Sequence, residues 1–247
     1  MRHYWMKFGI VGLAMLVFLG CTFSSINIET AELGQLQKDA VTVEREDADA
    51  VRVTIRMGAG ELDIDGGATD LMEAAFTYNI ESWRPEVDYE VTGGDGRLTV
   101  RQPSTNRFPI NSGIRYEWDL RFAEGIPLDL RIEGGAGNQD IDLAGLTVTD
   151  LDIRLGAGNA AIDLSNNPEL RRLDLDMGAG ETRIDLNGPW EDDAEVDIQG
   201  GVGKTELLLP RDIGVRVEVT KGIGDVDASG LYRDGNAWVN EAYGETD

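Results

Sequence analysis

The feature that most constrains the fold is a phrase that the chain repeats at nearly equal intervals. Gly-Ala-Gly, followed shortly by Ile-Asp-Leu, occurs in "LDLRIEGGAGNQDIDL" (128–143), "LDIRLGAGNAAIDL" (151–164) and "LDLDMGAGETRIDL" (173–186). The first glycines of the last five Gly-x-Gly triplets lie 21, 22, 23 and 21 residues apart, at Gly135, Gly156, Gly178, Gly201 and Gly222. A period of this length indicates stacked coils of similar structure.

Residues at fixed distances from these glycines predict strands. The positions five and three residues before the glycine, and six after it, are apolar, as in Leu151, Ile153 and Ile162, whereas the position four before it is polar. Earlier triplets at Gly58 and Gly94 fit the same columns. Period-two alternation predicts a strand with one buried face, and the glycines and β-branched residues disfavour helix.

Each unit is therefore interpreted as a strand, a Gly-x-Gly corner, a second strand and a polar link. We expect the small middle residue of the corner to point inward. The predicted fold class is all-β: a single-stranded parallel β-helix-like solenoid with coils of about 22 residues.

The spacing breaks between residues 67 and 127, where successive glycine markers lie 36 and 41 residues apart. Longer strands such as "IRYEWDLRF" are expected to pair antiparallel there. The predicted organisation is a signal peptide (1–20), a lipid-anchored tether and first strand (21–45), and a β-solenoid domain (46–247). That domain contains the antiparallel insertion (67–127) and the regular coils (128–247).

The N-terminal stretch "MRHYWMKFGIVGLAMLVFLGC" is typical of an export signal. Arg2 and Lys7 precede a twelve-residue apolar run, too short to span about 30 Å of hydrocarbon but normal for a signal-peptide core. Gly20 before Cys21 resembles a bacterial lipobox, which predicts lipidation of Cys21 and attachment to the membrane. The protein is thus expected in the cell envelope, facing the periplasm or the exterior. An uncleaved helical anchor and ordinary secretion are the alternatives.

Composition excludes several classes of function. The chain has 22 Lys and Arg against 46 Asp and Glu, so we expect no nucleic-acid binding, which depends on cations that displace counterions. Its only histidine is His3 and its only cysteine is Cys21. A mature body without either residue type has no Ser-His-Asp triad, thiol nucleophile or His-ligated zinc. We predict that the protein is not an enzyme and uses no cofactor or metal.

Two motifs resemble ligand-binding sites but lack residues or spacings that those sites require. In "GGVGKT" (200–205) the position where a P-loop needs its first glycine is Ile198, and a strand follows in place of a helix. In "GGAGNQDIDL" the aspartate spacing and the period differ from those of calcium-binding nonapeptide repeats.

An acidic column follows the corners at Asp142, Asp163 and Asp185. If coils stack about 4.8 Å apart, these residues form a ladder of like charge. Each neighbouring pair repels by about 1 kcal/mol or less in water, which a solvated face tolerates. The column is interpreted as an acidic outer face that discourages aggregation, with weak binding of a cation or a cationic partner as the alternative.

Aromatic residues cluster outside the regular coils. They are interpreted as a cap or core, and the alternative is a surface that stacks on sugars, for which Trp83, Phe108 and Trp118 are the best candidates.

Three stretches carry a resemblance to a known family: "GAGELDIDGGATDLMEAAFTYNIESWRPEVDYEV", "GGVGKTELLLPRDIGVRVEVTKGIGDVDASGL" and "NAWVNEAYGE". From about Val51 to its end, the chain resembles the toast-rack domain, which is related to LiaF-like cell-envelope proteins. Some of these are associated with responses to cell-wall-active antibiotics. The resemblance implies a structural module without catalytic residues. Such chains commonly continue after "AYGE" with another coil, so we expect an open edge that needs a cap or partner.

Three functional hypotheses follow. The first is a non-catalytic envelope lipoprotein that acts as an interaction or sensing module, with an unidentified envelope protein or glycan as partner. The second is a polysaccharide-binding or polysaccharide-degrading β-helix that uses carboxylates such as Asp142 and Asp163. The third is an adhesin-like surface protein that self-associates end to end.

Overall fold

A computed structural model describes residues 33–104, 113–191, 193–220 and 223–244. These residues contain thirteen strands and one 3-10 turn (Glu81–Trp83) but no α-helix, so the all-β prediction is confirmed. Across these ranges no helix has the length and apolar character needed to cross a membrane. The strands are β1 (Gln37–Val43), β2 (Ala50–Gly66), β3 (Met72–Tyr78), β4 (Glu86–Thr92), β5 (Asp95–Arg101), β6 (Tyr116–Phe122), β7 (Pro127–Asp142), β8 (Thr147–Asp163), β9 (Arg172–Asp185), β10 (Glu195–Leu208), β11 (Arg216–Glu218), β12 (Tyr232–Asp234) and β13 (Ala237–Val239).

Five long strands, β2, β7, β8, β9 and β10, pair parallel in that order. We call each of them a rung. Leu151 of β8 pairs with Leu173 of β9, which pairs with Val196 of β10. The apolar columns of the sequence therefore lie on neighbouring rungs, as predicted.

A Gly-x-Gly corner divides each rung into two halves, and the packing between rungs explains both glycines. A Cβ on Gly156 would lie 2.2 Å from the carbonyl oxygen of Gly135, and one on Gly158 would lie 1.6 Å from that of Gly137. Gly158 also has a φ of +143°, which L side chains rarely adopt. Any larger residue at these positions would push neighbouring rungs apart.

The middle residue of the corner points outward, and the sequence-based expectation of an inward side chain is wrong. Ala157 is exposed, and the equivalent Val202 is 80% exposed. The inner side of the bend is already occupied by Leu155 and Ala160, both buried, so the middle side chain lies on the convex side.

The core lies inside the bend, between the two halves of the rungs. Ile153 from the half before the corner and Ile162 from the half after it are both buried. The links between rungs close the third side with buried leucines, namely Leu143, Leu146, Leu164, Leu170 and Leu186. Asn167, 2% exposed, fastens two links because its Nδ2 donates to the carbonyl of Leu143, 2.7 Å away.

The N-terminal region extends the two halves of β2 separately. The hairpin β4–β5 continues the half before the corner, with β5 parallel to β2. Strands β6, β3 and β1 continue the other half, with β6 parallel to β2 and the rest antiparallel. Residues 67–127 thus form a mixed arrangement, and the prediction of an antiparallel insertion is correct only for part of it.

Gly94 is not a corner. With Gly93 it forms the tight turn of the β4–β5 hairpin, at φ values of +63° for Gly93 and +88° for Gly94. Val100 accordingly pairs with Ile55 before the corner of β2, so its assignment to the column after the corner is wrong.

In the described residues, the parallel stack ends at Leu208. Beyond it, β11, β13 and β12 form a separate three-stranded antiparallel sheet. The predicted run of regular coils from 128 to 247 is therefore interrupted, and Asn240 fastens the start of the C-terminal segment by donating to the carbonyl of Ile213.

Candidate interaction surface on the outer faces of the rungs

Each rung presents an outer face before its corner and another after it. The face before the corner carries a chain of ion pairs across β2, β7, β8 and β9. Arg56 contacts Glu133 at 3.0 Å, Arg131 contacts Asp152 at 3.4 Å, and Arg154 contacts Asp176 at 3.8 Å. The hydrogen bond from Arg131, with a further contribution from Arg56, lowers the pKa of the Glu133 carboxyl. Opposite charges are thus matched on this face.

The face after the corner is acidic. In β2, β7 and β8 its outward positions include no Lys or Arg; they are Glu61, Asp63, Asp65, Asn138, Asp140, Asp142, Asn159, Ala161 and Asp163. Partial burial, and then the charge of Asp140, raise the pKa of the Asp63 carboxyl. Partial burial, and then the charge of Asp142, raise that of Asp65. The like charges on this face interact across rungs.

A shallow groove crosses the same face where Ala161 interrupts a column of longer side chains. The pairing order in this column is Asp63, Asp140, Ala161, Arg183 and Glu206. The groove has a volume of about 640 Å³, with Glu61, Asp63 and Asp140 at one end and Lys204 and Glu206 at the other. We call this feature the Ala161 groove. Its acidic end offers carboxylates to a cationic group, and its middle leaves room for an extended segment.

The acidic ladder of the sequence exists, and its members have a structural role. Asp142 pairs with Asp163, which pairs with Asp185. In each, Oδ1 accepts a hydrogen bond from the backbone N–H two residues later, at 2.9, 2.8 and 2.9 Å in turn. Aspartate often stabilises turns in this way, and here it begins each link.

In the described part of the chain, no group of three or more His, Cys, Asp or Glu side chains has an arrangement that could hold a metal ion. The hydrogen bonds to the following N–H groups make the ladder a row of turn-stabilising carboxylates on an acidic outer surface.

The aromatic candidates lie inside the molecule. Trp83 is 5% exposed and Trp118 is 1% exposed, so neither ring is available to stack on a sugar. Trp118 packs edge-on against Phe76, and the hydroxyl of Tyr116 donates to the Trp83 carbonyl at 2.7 Å. The proposed ligand surface at these two tryptophans is wrong, and the core interpretation applies. Phe108 and Cys21 lie outside the described residues.

Comparison with known protein families identifies one family that matches most of the chain. A family described as the N-terminal domain of toast_rack (DUF2154) matches residues 32–169 and 166–208. These segments hold all five rungs and the N-terminal strands. The chain belongs to the toast-rack family.

A solved structure extends this relationship to the fold. A protein of Clostridium sporogenes ATCC 15579, proposed to act in cell adhesion, shares 27% identity with the toast-rack chain at a TM-score of 0.66. The match covers 86% of this chain and 91% of the Clostridium chain.

Two further structures are proposed adhesins. The first, from Parabacteroides distasonis ATCC 8503, has 11% identity and a TM-score of 0.24, covering 70% of this chain and 97% of its own. The other, from Bacteroides fragilis NCTC 9343, has 9% identity and a TM-score of 0.25 with the same coverage. Such scores add nothing to the fold assignment. None of the curated proteins compared with the chain matches it.

The Ala161 groove is not among the features predicted from the sequence. The signal was available at the position five residues after the corner glycine of each rung, where acidic or basic residues give way to one alanine. Only the order of the rungs in space shows that Asp63 lies beside Asp140, because 77 residues separate them in the chain.

Proposed function

We propose that this chain is a non-catalytic interaction module of the bacterial cell envelope, attached to the membrane through a lipidated Cys21. The rungs would act as one β-solenoid with coils of about 22 residues, which holds the outer faces rigid. Its partner would be an envelope protein that presents an extended cationic segment to the Ala161 groove.

The observation that carries the proposal is the likeness to the Clostridium protein over 86% of this chain, because that protein has been proposed to act in cell adhesion. Adhesion requires a stable surface for a partner, and a stack of rungs supplies one without any reaction.

The acidic face supports a cationic partner. The carboxylate of Asp63 experiences the charges of neighbouring acids, and a cation placed beside it would relieve that repulsion. Complementary charge also speeds encounter and sets the orientation of a complex.

Sugar binding has less support, because Trp83 and Trp118 are buried. Polysaccharide cleavage by Asp142 and Asp163 has less as well, because these carboxylates accept hydrogen bonds from the turns that follow them. The absence of histidine and cysteine from residues 22–247 supports a non-catalytic role. A sensing role in cell-wall stress rests on the resemblance to LiaF-like proteins.

The groove is tested by Ala161→Arg, which fills its middle and adds a positive charge. The unmodified chain and the Ala161→Arg variant are each prepared with the lipid-attachment region replaced by an affinity tag. Both are incubated with envelope fractions of the native cell, and the captured proteins are quantified by mass spectrometry. We expect at least about tenfold less of the captured partner with the variant, a loss of roughly 1.4 kcal/mol or more.

The matched control is Ala157→Arg, since Ala157 lies on the same rung and is exposed but lies outside the groove. If the two variants capture the partner equally well, the groove is not the binding surface.

Membrane attachment is tested separately with Cys21→Ala in the native cell. We expect this variant to leave the membrane fraction and to lose incorporation of labelled fatty acid. Membrane retention without label would contradict the lipid anchor.

A further inference from the structure

Five strands of the described structure pair along one edge only, namely β1, β4, β10, β11 and β12, and two of them concern the end of the stack. β10 is the last strand of the large sheet, and β11 is an outer strand of the small one. Each therefore pairs along one edge only. Such edges pair readily with another strand, and proteins usually cover or block them.

The end of the large sheet also exposes apolar residues that earlier rungs bury. Val196 of β10 is 39% exposed, whereas Leu173, its partner on β9, is fully buried. Ile198 and Leu207 are half-buried, whereas the β9 residues paired with them, Leu175 and Ile184, are buried. The stack ends on an apolar surface as well as on an unpaired strand.

The segment that follows β10 has the pattern of a further rung. At an offset of 21 residues, Val217 corresponds to Val196, Val219 to Ile198 and Ala228 to Leu207. Val219 and Val226 are 43% and 40% exposed in the described structure. The apolar positions of the segment thus match those left open at the end of the stack.

Chain length agrees with the same offset, whereas the charge pattern is mixed. Arg216 would lie opposite Glu195 and Asp225 opposite Lys204, but Glu218 would lie opposite Asp197 and Asp227 opposite Glu206. The links between β7, β8, β9 and β10 have 4, 8 and 9 residues, and the connection from β10 to β11 has 7. A chain of that length can therefore return to the start of the next rung.

We propose that residues 215–220 and 223–228 dock on β10 as a sixth rung of the same chain. The free edge of β11 joins β10 in parallel, and its other edge keeps β13. The two sheets become one, with β13 and β12 closing the end of the stack. The occupant of the β10 edge is this chain's own segment, and the structure described above is the open state.

Cysteine pairing tests the register. Both thiols are introduced as Asp197→Cys with Glu218→Cys, in the full chain carrying Cys21→Ser so that no other thiol remains. In the closed state the two Cα atoms lie about 4.8 Å apart, within the range of a disulfide of about 4.4–6.8 Å. We expect an intrachain disulfide in most molecules after mild oxidation, seen by mass mapping of the monomer.

The matched control is Asp197→Cys with Thr220→Cys. Thr220 points to the same face but lies two residues out of register, about 8 Å away by strand geometry. We expect at least about tenfold less disulfide in this pair. Equal cross-linking of both pairs would mean random collision and would overturn the register. A disulfide between two chains would assign the β10 edge to a second copy and overturn the proposal.

Hydrogen exchange of the unmodified chain gives a second readout that needs no variant. In the closed state both edges of β10 are bonded, so we expect amide groups along residues 195–208 to exchange at least about 100-fold slower than in an unstructured chain, on both edges. Protection confined to the amides bonded to β9 would overturn the proposal.

Discussion

The two halves of each rung share an interior but differ in their outer faces. Before the corner, arginines alternate with acids across rungs, as in the contact of Arg56 with Glu133. After the corner, the first three rungs present acids, two asparagines and one alanine without a cation. The difference shows that the stack depends on its aliphatic interior and its corners, so the charge pattern outside is free to serve recognition.

The largest loss of stability is expected from a substitution at the corner, which both halves of a rung share. Gly158→Ala places a Cβ 1.6 Å from the Gly137 carbonyl oxygen, at a φ of +143°. We expect a loss of more than about 4 kcal/mol in the free energy of unfolding, measured by urea denaturation, because both halves lose their register. The control is Gly145→Ala, at a φ of +81° with nothing within 4 Å of the added atom, which should cost only about 1 kcal/mol. Equal losses would contradict the role of close packing at the corner.

Equivalent substitutions in the interior of the two halves should lower the free energy of unfolding by similar amounts. Ile153 and Ile162, on either side of the β8 corner, are 0% and 2% exposed. Replacing either with alanine removes buried methyl groups and leaves a cavity, so each variant should lose about 3 kcal/mol in the free energy of unfolding. Chemical denaturation of the two variants side by side checks this. A difference of more than about 2 kcal/mol would show that the halves are supported unequally.

Neutral substitutions on the two outer faces should change the melting temperature in opposite directions. These changes should be smaller than those caused by the corner and interior substitutions. The pKa of Glu133 is lowered, so its charged form stabilises the fold above its unfolded pKa and this stability is lost as pH falls. The pKa of Asp63 is raised, so its contribution is lost as pH rises through its folded pKa. At pH 7 we expect Glu133→Gln to lower the melting temperature and Asp63→Asn to raise it.

As pH falls below the folded pKa of Glu133 and the unfolded pKa of Asp63, both carboxyls become protonated in the folded and unfolded chain, and these two differences should shrink strongly. Thermal unfolding followed by circular dichroism, in a series from pH 7 downward, provides the measurement. Shifts of the same sign at pH 7 would contradict the contrast between the faces.

The sequence predicted the rungs well because their constraint is local and periodic. The glycine spacing from Gly135 to Gly201 and the alternation around Leu151 and Ile153 correctly identified strands and their register, whereas the strands described after Leu208 lie outside the stack. Gly94 was misassigned because a tight turn and a corner both place glycine between two alternating strands, and only the pairing partner distinguishes them.

The site was harder to predict than the fold. Tyr116, Trp118, Leu120 and Phe122 alternate with polar residues and all are buried, so the same rule that found the rungs would have placed Trp118 in the core. The groove could not be predicted in this way, since it depends on which side chains of distant segments become neighbours. The direction of Ala157 also depended on how the bend fills its inner side.

The two glycine columns have a consequence for how this molecule can change. At each corner only a glycine hydrogen separates one backbone from the carbonyl oxygen of the neighbouring rung. The spacing between rungs is therefore set at the corners and cannot increase locally. The links vary from 4 to 9 residues and lie on another side. Insertions are therefore tolerated at the links, whereas the corners allow a rung to be gained or lost only as a whole. The number of residues in such a stack should therefore change by whole rungs.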